Sequence, residues 1–294
     1  MADNATTLVY KKPKKHYTVG AITWIVIKYA SLIFFSFVSL LPIVSCVITA
    51  FKTEREYGST SVMDLPESWL NFDNFLDAFE RANMLTAFKN SIIIVCVVLI
   101  GSIIIGTQLA YVLNRFKFRG NSLIRNLFTF AALLPGIAMQ VAVYEIMVNL
   151  NFVNTMYGYI IMMMGTDVIS IYIFIQYFEN LPVSLDESAI IDGASYFRIY
   201  RSILLPLLKP AIVTCMVLKG TGTYNEYYSA SLYLQDVTKF CTVSTSLRTF
   251  TGPLGSQYNM ICAGVIISLL PVLIIFILCQ KQIYSGLAAG AVKG

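Results

Sequence analysis

LPVSLDESAIIDGASYFRIYRSILLPL, residues 181–207, is a polar insert between two strongly apolar stretches, and its order of turn, charge and glycine decides how the surrounding chain is read. Ser184 followed three positions later by Glu187 is a capping-box pattern, in which each side chain satisfies a backbone N–H of the other residue. The pattern predicts a short helix starting at Ser184. Asp192-Gly193 is expected to close it, because glycine accepts the left-handed backbone that stops a helix. Ser195 then caps a second helix running to Pro206. Helix, glycine bend, helix makes a docking knob.

The rest of the chain says what carries the knob. A mean hydropathy of +0.70, 57% hydrophobic and 13% charged residues over 294 positions lie far from a soluble domain, where about a quarter of residues are charged. About 20 apolar residues span a hydrocarbon core of about 30 Å as a helix. Six such runs stand at 24–48, 91–113, 127–148, 156–178, 211–233 and 259–279. The expected fold is therefore an all-α integral membrane protein of six transmembrane helices. It divides into a polar tail (1–23), a first span with an external loop (24–87), a membrane-embedded core (88–280) and a short tail (281–294). The first run lies behind a polar leader and has no small-residue cleavage site, so it reads as a retained helix.

Six spans put both termini on one side. Of the 21 lysines and arginines, 13 fall on that side and 6 in the opposite loops, which makes the termini and the 181–207 insert cytoplasmic. The net charge of +5 is a topology signal and gives no reason to invoke nucleic acid. The six cysteines show neither paired nor metal-ligand spacing; they read as buried apolar residues, with Cys241 alone expected to be an exposed thiol. The single histidine, His16, excludes His-based triads and histidine metal sites, and no acid pair shares a polar pocket.

Ionisable residues inside a membrane cost about 2.5–3.5 kcal/mol on insertion scales and call for a polar neighbour or a wet cavity. Glu145, Asp167, Lys219 and Glu226 are the candidates, and Lys28 and Lys219 have stems long enough to reach an interface. Glu226 sits in TGTYNEYYSASLY, a run suited to a wet lining. Asn225 and Glu226 offer hydrogen-bond partners for sugar hydroxyls, and Tyr224, Tyr227 and Tyr228 offer faces for sugar rings. Gln140 and Tyr144, one helical turn apart, face the same pathway on this reading. The alternative use of these groups is hydrogen bonding between helices. Gly220 and Gly222 are expected to loosen the helix here. In the external loop, Phe72, Phe75, Leu76 and Phe79 recur at helical spacing behind Asn71, predicting an amphipathic surface helix. It either joins a platform for an external protein or packs on the spans or headgroups.

DESAIIDGAS followed by FRIYRSILLPLLKP resembles the cytoplasmic loop of permease subunits of binding-protein-dependent ABC importers, whose pattern is Glu-Ala-Ala, three residues, Gly, then a distal Ile and Pro. Glu187, Ala189, Asp192, Gly193, Ala194, Ile203 and Pro206 match, and Ser188 replaces one alanine. LPESWLNFDNF (65–75), AYVLNRFKFRG (110–120), YNEYYSA (224–230) and GLAAGAVKG (286–294) resemble the MalG-like half of carbohydrate importers, with Tyr224 where tryptophan is common. The resemblance implies a type I ABC importer transmembrane domain in a bacterial cell membrane. It would pair with a second, MalF-like permease, a cytoplasmic ATPase dimer and an external sugar-binding protein. Glu187, Ala189, Asp192, Gly193, Ala194 and Arg198, with Arg201, would couple to the ATPase. The chain has no GxxxxGK[ST] phosphate loop, so ATP would be bound by the partners and no cofactor by this chain. Permeases for other small solutes share the loop, and a proton-coupled carrier using Asp167 and Glu226 is the competing class. Such carriers commonly carry inverted repeats, and none is visible between the two halves.

Overall fold

Residues 19–134, 136–165, 167–253 and 255–291 are described by a computed structural model; the tail containing His16 lies outside them. Most of this is helix, with one two-residue antiparallel ribbon, Thr251–Gly252 against Gly255–Ser256. In chain order, α1 (Val19–Ala50) leads through the short α2 (Glu54–Ser59) and α3 (Asp73–Arg81) to the long α4 (Met84–Arg115). The third apolar run forms α5 (Asn121–Leu133) and α6 (Gly136–Asn149), and the fourth forms α7 (Met156–Gly165) and α8 (Val168–Glu179). The polar insert holds α9 (Ser184–Ile191) and α10 (Tyr196–Ile199), a π-helical turn at Tyr200–Leu204, and α11 (Leu205–Leu207). Then come α12 (Lys209–Asn225), α13 (Tyr228–Tyr233), α14 (Val237–Phe240), α15 (Val243–Ser246) and α16 (Tyr258–Ala291).

Among the described residues, three helices are individually long and apolar enough to cross a membrane: Thr23–Ala50 of α1, all of α4, and Tyr258–Leu278 of α16. Two bent pairs, α7 with α8 and Tyr196–Leu207 with α12, bring that to as many as five. All six expected runs are thus helical, but three are made in two pieces. The fifth, expected unbroken over 211–233, stops at Asn225 and restarts at Tyr228. Gly220 and Gly222 lie inside continuous helix, so they are not where it loosens. α16 extends to Ala291, so most of the stretch expected as a C-terminal tail is helical.

α4 is the central post, packed by α7, α8 and α12. Its small residues permit this: a Cβ at Gly106 would come within 3.0 Å of the Phe174 ring on α8. At one end of α4, Tyr111 packs with Phe174, Phe178, Ile199, Tyr200, Leu204 and Leu208, so the polar insert is rooted in the same core as the spans. At the other end, Ile94 and Val98 pack with Met147, Tyr159 and Tyr233. α1 has apolar residues exposed around its circumference and rests mainly on α16, as expected of a lipid-bathed outer helix.

The segment between α1 and α4, expected to be external, departs from expectation at the start of its helix. α3 forms where predicted, but it turns Asn74 and Ala78 inward and leaves Phe72, Leu76 and Phe79 exposed. Asn71 makes a local turn to the Asp73 N–H at 3.3 Å and does not cap the helix. The inward choice follows from the end of α1: its carbonyls lack helical partners, and Asn74 donates to Ala50 and Lys52 carbonyls at 2.7 Å each while accepting from Asn259 at 2.9 Å. Cys241, expected to be exposed, is buried, because Asn90 of α4 donates to the Cys241 and Lys239 carbonyls at 2.9 Å and draws the segment onto the core. Burial pushes the Cys241 thiol pKa up.

Candidate functional site

α9 begins without the expected cap. Val183 already has helical angles (φ −64°, ψ −26°), and its carbonyl accepts from Asp186 and Glu187 N–H at 2.9 and 3.1 Å. Ser184 is therefore inside the first turn and makes no side-chain cap. Pro182 is the physical reason: its ring presets a helical φ and it has no N–H to satisfy, so the helix opens there without serine's help. The other end is as predicted. Gly193 sits at φ +76°, Gly193 N–H bonds the Ile190 carbonyl and Ala194 N–H bonds the Ala189 carbonyl, both at 2.9 Å. This is a Schellman stop. Ser195 Oγ accepts from Arg198 N–H at 3.4 Å and opens α10.

The π turn at Tyr200–Leu204 was not foreseen. Pro206 cannot donate, and its ring crowds the carbonyl one turn back, so the helix widens just before it. Tyr196–Leu207 then meets α12 at 72°, making an elbow at Leu208. α9 is anchored by a buried ion pair that the sequence reading also missed. Arg115 Nε donates to Asp186 Oδ2 at 3.1 Å, with side chains only 8% and 10% exposed. The same guanidinium donates to the Leu181 carbonyl at 2.9 Å and the Phe178 carbonyl at 3.4 Å, closing the end of α8. α9 is thereby fixed to α4 and α8 at once.

What the knob presents outward is mixed. Glu187, Asp192, Arg198 and Arg201 are exposed, and so are Ile190, Ile191, Tyr196 and Phe197, with Ile191 85% exposed. Ala189 faces the other way, buried in the core with Tyr111 and Phe178, and Ala194 is half-buried against the same cluster. Large exposed apolar side chains on a rigid, charged knob constitute a surface suited to contact.

The seven candidate pathway residues divide around the break at Glu226–Tyr227. Tyr224 and Asn225, with Val243, Ser244, Leu247 and Ser268 among its other walls, line an open groove of about 260 Å³ between α12, α15 and α16. Tyr224 donates its hydroxyl to the Ser268 carbonyl at 2.8 Å, and Asn225 is exposed. On the other side, Tyr233 donates to Gln140 Oε1 at 3.0 Å and stacks on Tyr144 with ring centres 5.8 Å apart. Gln140 Nε2 lies 3.5 Å from Ser229 Oγ, and Ser229 N–H donates to Glu226 Oε1 at 2.8 Å. Gln140, Tyr144 and Glu226 are thus joined through Ser229 and Tyr233, neither of which the sequence reading singled out. Tyr227 and Tyr228 are about half exposed. Glu226, one residue before the N-cap Tyr227, satisfies one of the open N–H groups at the start of α13. Among the described residues, no group of acids, cysteines or histidines is arranged to hold a metal ion.

The family model described as binding-protein-dependent transport system inner membrane component matches residues 100–283. The arabinooligosaccharides transport system permease protein AraQ of Halalkalibacterium halodurans is 29% identical over 89% of this chain and 94% of its own. The trehalose/maltose transport system permease protein MalG of Thermococcus litoralis is 30% identical over 89% of this chain and 94% of its own. A solved bacterial ABC transporter involved in import of the acidic polysaccharide alginate matches at TM-score 0.77, covering 91% of this chain and 99% of that one at 20% identity, a likeness of fold. With the model's match spanning more than half of the chain, over helices that pack as one core and carry the Gly193 knob, this protein belongs to the family of binding-protein-dependent transport system inner membrane components.

Proposed function

We propose that this chain is one of two permease halves of an ABC importer for a sugar or oligosaccharide, with its 182–206 loop and both termini on the cytoplasmic side. The observation that carries the reading is the rigid, partly apolar knob on a bent arm. An ATPase subunit seats Ile190, Ile191, Tyr196 and Phe197 in a cleft, with Glu187, Asp192, Arg198 and Arg201 at its rim. Because Arg115–Asp186 and the shared core fix the knob to α4 and α8, closure of the ATPases is delivered to the spans as rigid displacement. ATP stays with those partners, and no covalent chemistry occurs in this chain. The sugar class is supported by the relatives named for arabinooligosaccharides and trehalose/maltose, and by hydroxyl, amide and ring faces around the Glu226 break. An external binding protein delivers the sugar to a cavity shared with the second permease.

The test is purification from native membranes followed by reconstitution. Co-purification with an ATPase and a second permease, and ATP-dependent sugar uptake that requires both, is the expected result; uptake by this chain alone in liposomes would overturn it.

Tyr224 and Asn225 separate structure from transport. Asn225→Ala is expected to lower uptake severalfold without changing stability, since Asn225 is exposed in the groove. Tyr224→Phe removes the tie to Ser268 and should cost about 1 kcal/mol of stability. Uptake at several sugar concentrations, with thermal unfolding of each purified variant, checks both.

A further inference from the structure

Lys219 was expected to extend toward an interface; it does the reverse. It lies on the buried stripe of α12 with Ala211, Cys215 and Thr223, and its Nζ donates to the Met163 carbonyl at 2.8 Å, in the last turn of α7. The last carbonyls of α7 have no partners within their own helix, and that end is electrically negative, so an ammonium is well placed there. Across the break, Asp167 caps α8 by accepting from Ser170 N–H at 3.4 Å, while its second oxygen, Oδ2, is buried without a hydrogen-bond partner among the described residues. Lys219 is within electrostatic reach of both Asp167 and Glu226. In both broken spans an acid accepts from an early N–H of the second half-helix, Asp167 from Ser170 and Glu226 from Ser229.

We propose that Lys219 is a positioning residue that ties the α7–α8 break to α12, bonded to the last turn of α7 and serving as counter-ion to Asp167. The helix that continues from the elbow at Leu208 is the one that carries Lys219, so displacement of the knob reaches the α7–α8 break through this contact. The transport role of this tether rests on the function proposed above; its existence does not, and the first experiment addresses the tether alone.

In the purified full chain in lipid nanodiscs, hydrogen–deuterium exchange over residues 168–175 is measured for Lys219→Met, Asp167→Asn and the double variant. Asparagine caps a helix as well as aspartate, so Asp167→Asn removes charge and keeps the cap. Lys219→Met is expected to speed exchange in the first turns of α8 at least tenfold by leaving Asp167 uncompensated, and the double variant to return most of the way to wild type. Unchanged exchange in Lys219→Met, or a double variant no better than the single one, would overturn the tether. If Lys219→Met is not recovered from the membrane, recovery of the double variant is the supporting result and its loss the opposing one. In the reconstituted importer, Lys219→Met should then lower uptake per ATP hydrolysed at least fivefold, with Lys219→Arg restoring it; equal coupling in Lys219→Met would confine Lys219 to a structural role and overturn its part in transport.

Discussion

Gly193→Val is expected to reduce ATP-driven uptake more than tenfold while the protein still inserts and accumulates in the membrane. A Cβ at this position meets nothing within 4 Å, so the loss comes from backbone conformation and not from a clash. At φ +76° an L-residue has its Cβ crowded by its own backbone, and a β-branched one tolerates this least. The cost of about 1–3 kcal/mol is comparable to what the two Schellman bonds and the Ser195 cap supply, so α9 and α10 lose their fixed angle. Gly193→Asn provides the control, because asparagine visits this region readily and should keep most of the activity. Uptake into proteoliposomes and the ATPase activity of the same preparations distinguish the outcomes. Uptake lost with ATP hydrolysis retained indicates a lever that no longer transmits, and wild-type uptake by Gly193→Val shows that the bend is dispensable.

The second large effect is on stability as well as coupling. Arg115→Met leaves Asp186 buried without its counter-charge and strips the Phe178 and Leu181 carbonyls of their donor. Breaking one side of a buried pair costs about 3–5 kcal/mol, a large fraction of the stability of any domain. Thermal unfolding in detergent should show a lower midpoint, and proteolysis should cut first between residues 180 and 195, where α9 has lost its anchor. Arg115→Met/Asp186→Leu removes both charges and should recover much of the midpoint, because the expensive state is the unpaired acid. A double variant as unstable as the single one would mean that the guanidinium matters for the carbonyls alone.

Parts of this protein were legible because they are set by neighbours in the chain. The Gly193 stop and the Ser195 cap depend on residues within five positions, and the apolar runs depend only on the length needed to cross hydrocarbon. A similar local rule misled at Ser184, where Pro182 two residues earlier opened the helix first. The same rule holds at Thr53, whose side chain and that of Glu56 exchange bonds with each other's N–H at 3.2 and 3.3 Å. The capping box is thus present in this chain, at the start of α2. Hydropathy summed over twenty residues could not show the breaks at Asp167 and Glu226, because one polar residue barely changes such a sum. Each acid accepts from an N–H in the first turn of the half-helix that follows.

From residue order alone came the membrane class, the helical runs and the bent knob, since each is decided by composition or by bonds a few residues long. Folding in three dimensions decided what those parts are fastened to. Arg115 meets Asp186 across 71 positions and Lys219 meets Met163 across 56. Whether a charged side chain ends in lipid, water or a buried pair depends on which distant helix faces it, and packing around α4 made that choice.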